Sequence, residues 1–222
     1  MSTNVSITQS YIDYILTKGE RPPSVYVFAK KNKMSEAQFY NFYASFDALE
    51  QGIWADMAQT AIGEVKAQEV WAGYTGRERM LSFFYAFFEL LKSSRSFAVY
   101  SLNQTPKGLA SPRVLEKLKT AFLEFSDELL AEGLESGELA DRKFFTKRYK
   151  DALWAQFGFV LNFWLRDTSA GFEKTDEAIE KGLTVTFDLF ERSPIDRLFE
   201  YGKFIAQNSD FKEFFKFSAA KG

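Results

Sequence analysis

At 222 residues the chain can bury one sizeable core or two small ones, and 46% hydrophobic against 26% charged residues is the balance of a folded globular protein. It contains no histidine and no cysteine, which excludes disulfides, thiolate chemistry, Ser–His and Cys–His dyads and the usual zinc sets. A net charge of −2 argues against a general nucleic-acid coat. No glycine loop for phosphates occurs, so no cofactor and no enzyme activity are expected. The polar start MSTNVSITQS lacks an apolar signal region, and no stretch approaches 18 uninterrupted apolar residues. A cytoplasmic location without membrane association is the expectation.

Five prolines and few β-branched alternations predict an all-α protein. Ile7, Tyr11, Tyr14 and Ile15 recur at helical spacing, with Gly19 closing the helix. Pro22 and Pro23 are placed at the start of a second helix, Pro23 to Lys31, which is expected to bury Val25, Val27 and Phe28. After the turn Asn32-Lys33-Met34, Ser35 is the expected N-cap of a short third helix, with Gln38 at the capping-box position. Ser45 is a second cap, opening a long helix to about Glu69. Gly76 to Leu91 is the next helix, carrying Met80, Phe83, Phe84, Phe87 and Phe88, followed by Ser94 to Asn103 and a loop from Gln104 to Ser111. Further helices are expected at Pro112–Glu135, Arg142–Arg166, Phe172–Arg192 and Ile195–Gln207, ahead of a Phe-rich tail, Asp210–Gly222.

Helix, turn and two-to-three-turn helix at an N-terminus suit a groove reader. Between Arg21 and Tyr43 four basic residues (Arg21, Lys30, Lys31, Lys33) face one acid, Glu36, a local balance of +3 in an acidic chain. Side chains there fall into two groups. Lys30, Lys31, Lys33 and Tyr40 are candidates for holding phosphates and Gln38 and Asn41 for reading adenine, with Ser35, the cap of their helix, counted among the DNA-binding residues. Ser35, Phe39, Tyr40, Tyr43, Ser45, Ala48 and Leu49 also match the S-x-x-x-hydrophobic-Tyr-x-x-aromatic-x-S-x-x-A-L signature of the TetR family of bacterial regulators, which this segment resembles. The resemblance implies a DNA-binding head (1–48), a helical ligand-binding and dimerisation body (49–222), a homodimer on a palindromic double-stranded operator, and a hydrophobic small-molecule effector. Two positions depart from it: Glu36 and Phe46 stand where relatives commonly carry lysine.

In the body, Phe83, Phe87, Tyr100, Asn103, Phe122, Phe125, Trp154 and Phe157 are the candidate walls of an apolar pocket, with Gln156 and Tyr85 as further polar partners. The aromatic helices Arg142–Arg166 and Phe172–Arg192 carry more apolar surface than one layer covers, which points to a dimer. Asp167, Thr168, Ser169, Phe172 and Thr175 also resemble a D-[ST]-S-x-x-F-x-x-T segment of the TetR-folded lipid-binding protein of ubiquinone biosynthesis; a helix cap with a packed phenylalanine explains the same residues. The expected function is a TetR-type regulator whose operator affinity a hydrophobic ligand modulates. The alternative is a lipid- or quinone-binding protein on that fold with a non-functional head.

Overall fold

The structure, a computed structural model, describes residues 4–104, 112–142 and 146–191 together with Tyr201 and Phe204. Most of the loop Gln104–Ser111, most of the expected helix Ile195–Gln207 and all of the tail Asp210–Gly222 lie outside the described residues. Those described are helical, with one isolated antiparallel bridge, Leu139 to Glu191. Helices α1 (Asn4–Lys18), α2 (Val25–Lys31) and α3 (Glu36–Tyr40) form a head, and α4 (Phe46–Lys66) leads out of it. The body consists of α5 (Gly76–Ser93), α6 (Arg95–Asn103), α7 (Glu116–Ser136), α8 (Tyr149–Arg166) and α9 (Glu173–Phe190). None is long and apolar enough to cross a membrane.

Hydroxyl caps set the starts of α2 to α5. Ser35 and Gln38 form the full capping box of α3, Ser45 accepts from the Ala48 N–H at 3.1 Å, and Thr75 with Glu78 caps α5 in the same reciprocal way. At α2 the cap is Ser24, which accepts from the Val27 N–H, so both prolines precede the helix instead of opening it. This short helix turns only one side inward. Phe28 and Ala29 occupy that side, and Val27 is 42% exposed where burial was expected. The expected start of α8 at Arg142 is also corrected. Residues 139–142 serve the end of α9, whose last carbonyls lack intrahelical partners: the Ala140 N–H donates to Phe190 O at 2.8 Å, and the Arg142 guanidinium donates to Leu189 O and Glu191 O.

Two apolar cores result. Ile7, Tyr11, Ile15, Phe28, Phe39, Leu49 and Ile53 make the head core, joined by Phe97 from α6. The body core runs from Trp54 and Ala58 through the phenylalanines of α5, α7 and α8 to Leu183 and Phe187 of α9. The seam between them crosses α4 near Ile53 and Trp54 and runs along α6, where Phe97 and Tyr100 pack on the head core and Ala98 and Leu102 on the body core. Both helices therefore contact both cores.

Candidate nucleic-acid interface and effector core

The short α3 projects its polar residues outward because Phe39 alone anchors it in the head core. Lys30, Lys31, Lys33, Ser35, Gln38, Tyr40 and Asn41 are all exposed. Lys30 and Lys31 end α2, where a cation is favoured by the helix dipole. Lys33 takes a left-handed φ of 54° in the turn. Among the described residues no carboxylate pairs with these three lysines; Lys31 instead lies 4.7 Å above the Tyr14 ring. Gln38 is less free than its exposure suggests. Its Oε1 accepts the Ser35 N–H at 2.7 Å, so a bidentate contact to adenine would require opening the cap. Asn41 has no such engagement of its side chain among the described residues.

The two departures from the family pattern differ in kind. Glu36 opens α3, where an acid suits the positive end of the helix. Phe46 is half-buried, stacked on Tyr11 with ring centroids 5.1 Å apart, and edge-on to Phe28 and Phe39. It packs against the head core instead of standing free on the surface.

Arg21, counted with the basic residues of the head, turns inward to two acids. Its guanidinium donates to Asp47 at 2.6 Å and to the fully buried Glu50 at 2.8 and 2.9 Å. Burial opposes the guanidinium charge, but Glu50, Tyr11 and Asp47 together outweigh it, so the Arg21 pKa lies above its ordinary value. Glu50 also accepts the Tyr11 hydroxyl at 2.7 Å and the Ser101 hydroxyl at 3.0 Å, while Trp54 Nε1 donates to Ser101 Oγ at 3.1 Å. Burial, and then the Glu50 carboxylate, push the Tyr11 phenol far above its usual range. This cluster has no counterpart among the residues singled out in the sequence. A lone Glu on an apolar helix face beside an upstream Tyr and Arg is the one signal that points to it.

In the body, Phe83, Phe87, Phe122, Phe125 and Phe157 are each no more than 2% exposed and meet one another at centroid distances of 5.2–5.8 Å, with Trp154 stacked on Phe157 at 5.2 Å. These rings fill the space between α5, α7 and α8 themselves. Tyr100 and Asn103 do not join them: α6 carries Tyr100 against the head core and ends with Asn103 in solvent. Gln156 lies over Gly182 of α9, its Nε2 buried and without a hydrogen-bond partner among the described residues. Tyr85 lines a separate cavity of about 280 Å³ with Glu89, Trp164 and Asp176.

The turn from α8 to α9 is held by Asp167. Its Oδ1 accepts from the Ser169 N–H and hydroxyl, its Oδ2 from the Thr175 N–H and hydroxyl, all at 2.7–2.9 Å. Burial acts against ionisation, and these four bonds overcome it, lowering the carboxyl pKa to about 2. Phe172, at a left-handed φ of 67°, covers the Arg95 guanidinium, which in turn donates to Trp164 O and Leu165 O at the end of α8. The D-T-S-x-x-F-x-x-T residues thus build a helix cap. Next to it, Phe159 and Phe163 floor an open groove of about 410 Å³ with Arg166 and Lys174 at its rim. Phe159 (58% exposed), Val185 (59%) and Leu189 (60%) lie bare on the outer side of α8 and α9.

Comparison with known proteins agrees with this architecture. No curated protein sequence matches the chain. Solved structures that share its fold include the following three. One from Shewanella sp. PV-4, assigned to the tetR family of transcription regulators, has a TM-score of 0.59 at 14% identity over 87% of this chain and 100% of its own. The fatty acid degradation regulator FadR from Bacillus halodurans has a TM-score of 0.61 at 15% identity, over 83% of this chain and 98% of its own. A Rhodococcus sp. RHA1 protein of unknown function has 0.55 at 12%, over 86% and 97%. At these identities the likeness is one of fold. A family model, the tetracyclin repressor-like C-terminal domain, matches residues 79–205, more than half of the chain. The chain belongs to the TetR family of transcription regulators.

Proposed function

We propose that the protein is a homodimeric, DNA-binding TetR-type regulator whose affinity for a palindromic operator is lowered by a hydrophobic small molecule. The observation that carries this reading is the capped α3. It holds Tyr40 and Asn41 in solvent beside three lysines that no carboxylate among the described residues neutralises. Phosphates would be held by Lys30, Lys31, Lys33, Ser35 and Tyr40, which supply affinity but no sequence preference. Base reading falls to Asn41, with Gln38 joining only where its cap opens. A second copy covering Phe159, Val185 and Leu189 would present two heads to successive major grooves.

An apolar effector fits the same reading if it enters by parting the ring cluster of α5, α7 and α8, where Phe83, Phe87, Phe122, Phe125, Trp154 and Phe157 already meet. It would then favour the state in which the heads no longer match adjacent grooves. The test is a fluorescence-anisotropy titration against the DNA flanking the protein's own gene, at two salt concentrations and with non-specific competitor. Binding that survives competitor with a steep salt slope supports the reading. Binding no tighter than to unrelated DNA, across a tiled set of flanking fragments, counts against it and favours a ligand carrier with an idle head.

A further inference from the structure

We propose that Glu50 is the residue that fixes the orientation of the head on the body, through a buried polar chain running from Tyr11 and Arg21 to Ser101 and Trp54. The inference concerns the joint between the two cores. Its regulatory meaning rests on the proposed function, but the joint itself does not.

The geometry is specific. Glu50 lies on α4 one turn before the point where that helix passes from the head core to the body core, between Ile53 and Trp54. Ser101 lies on α6, which runs between the two cores with Phe97 and Tyr100 on the head side and Ala98 and Leu102 on the body side. Tyr11 belongs to the head core and Trp54 to the body core, so the chain of hydrogen bonds Tyr11–Glu50–Ser101–Trp54 crosses the seam from one to the other. These four side chains are each no more than 1% exposed, and Arg21 joins Glu50 from the partly exposed edge. Apolar contacts across the seam tolerate sliding, because dispersion has no preferred angle. Hydrogen bonds in a dry interior do not, since a misaligned one leaves a buried polar group unsatisfied.

One side of the seam is also open. A cavity of about 200 Å³ lies where Ile12 of α1, Ile53 and Asp56 of α4 and Leu90 of α5 meet. The head therefore has room to tilt there once the polar chain no longer holds it. In this arrangement Glu50 is a positioning residue. A displacement of α6 that takes Ser101 away from its carboxylate releases the head, and one that restores the bond re-seats it.

The absence of cysteine allows a direct measurement on the full chain. Spin labels are attached to Ala44→Cys on the head and Glu124→Cys on α7, both exposed positions. The labelled protein is diluted into excess unlabelled protein, and the distance distribution is recorded by pulsed electron resonance without DNA. In the parent one narrow distribution is expected. Ser101→Ala and, separately, Tyr11→Phe should each shift its mean or add a second population while far-UV circular dichroism keeps its helical signal. Unchanged distributions in both variants would overturn the proposal, and Tyr11→Phe decides alone if Ser101→Ala does not fold. Because no DNA is present, the result stands whether or not the head binds an operator. Operator affinity of the same variants, measured in parallel, should fall only if both inferences hold.

Discussion

Phe46 lies stacked on Tyr11 at 5.1 Å between ring centroids, which packs the first residue of α4 against the head core. The family pattern that this segment resembles carries lysine there. Here the same position is committed to packing, so restoring a lysine would remove the one ring that contacts Tyr11, Phe28 and Phe39. For this half-buried ring we expect Phe46→Lys to cost about half of the roughly 3–5 kcal/mol of a fully buried Phe truncation. Any change in DNA affinity would be confounded by that loss. Glu36→Lys is the clean variant, because Glu36 supports α3 only through the helix dipole, worth roughly 0.3–1 kcal/mol. It should tighten DNA binding and steepen the dependence of log K on log salt by up to about 0.9, the contribution of one added phosphate contact. Anisotropy at three salt concentrations measures this; an unchanged slope would show that the N-terminus of α3 does not face a phosphate.

Lys31 and Gln38 should separate affinity from preference. Lys31→Ala should weaken binding to all sequences alike and flatten the salt slope, since an ammonium on a flexible stem acts as a point charge. Gln38→Ala removes the Oε1 that caps α3 through Ser35. Losing it should cost about 1 kcal/mol of stability along with any change in base preference. Gln38→Glu retains the acceptor and so keeps the cap. If base preference at one step relaxes in Gln38→Ala but persists in Gln38→Glu, the cap positions Asn41 and Gln38 does not itself read a base. Comparative titration over a set of single-base operator variants distinguishes the two.

Much of the head was legible from Ser35, Gln38 and Ser45, because caps are local and their hydrogen bonds close within three residues. The all-helical body was legible from the spacing of its phenylalanines for the same reason. What escaped was non-local. Nothing adjacent in sequence announces that Glu50 meets residues 39 positions before it and 51 after it. Arg21 was grouped with the exposed lysines because charge alone cannot show whether a side chain turns inward. The eight residues named for a pocket divide between a packed ring cluster and α6, since an aromatic at helical spacing fits core and cavity wall equally well.

Acid should loosen the turn from α8 to α9. The Asp167 carboxyl is depressed to about 2 in the folded protein, below the roughly 3.9 of an unfolded aspartate. A depressed carboxylate contributes stability that is fully present above its unfolded pKa and is lost as pH falls toward its folded one. The window therefore runs from about pH 5 down to about pH 2. Asp167→Asn presents an amide N–H to donors on one side, breaking bonds that in a charged acceptor contribute roughly 1.5–3 kcal/mol. Urea unfolding of the parent across this window should show a decline that is shallower in Asp167→Asn. Parallel curves would place the acid sensitivity in other carboxylates.

Three glycines give a contrast that tests the packing. A methyl at the exposed Gly63 of α4 would meet nothing within 4 Å, so Gly63→Ala should stabilise by about 0.5–1 kcal/mol through helix propensity. At Gly133 the added carbon would come within 2.8 Å of Leu139, which is buried and tied by its N–H to Gly133 O. Gly133→Ala should therefore destabilise, by roughly 1–3 kcal/mol of overpacking. Gly182 lies between them: the clash there is with the Gln156 side chain, which can swing out and free its unpaired Nε2. Denaturation midpoints in the order Gly63→Ala, Gly182→Ala, Gly133→Ala, from highest to lowest, are the expected result.

The outer side of α8 and α9 should prove to be the contact between two copies. Phe159, Val185 and Leu189 are each more than half exposed although the helices that bear them are otherwise well packed, and bare apolar surface of this kind marks association. A two-fold contact uses the same patch on both copies, so each substitution acts twice. Phe159→Lys combined with Leu189→Lys would then bring like charges together from both sides of the axis. It leaves the monomer core untouched, because neither side chain belongs to it. Sedimentation equilibrium should give twice the 25.5 kDa chain mass for the parent and a shift toward the single mass for the double variant, with the helical signal preserved. A parent that sediments as a single chain, or a variant that stays paired, would remove α8 and α9 from the contact and with them the spacing on which reading a palindrome depends.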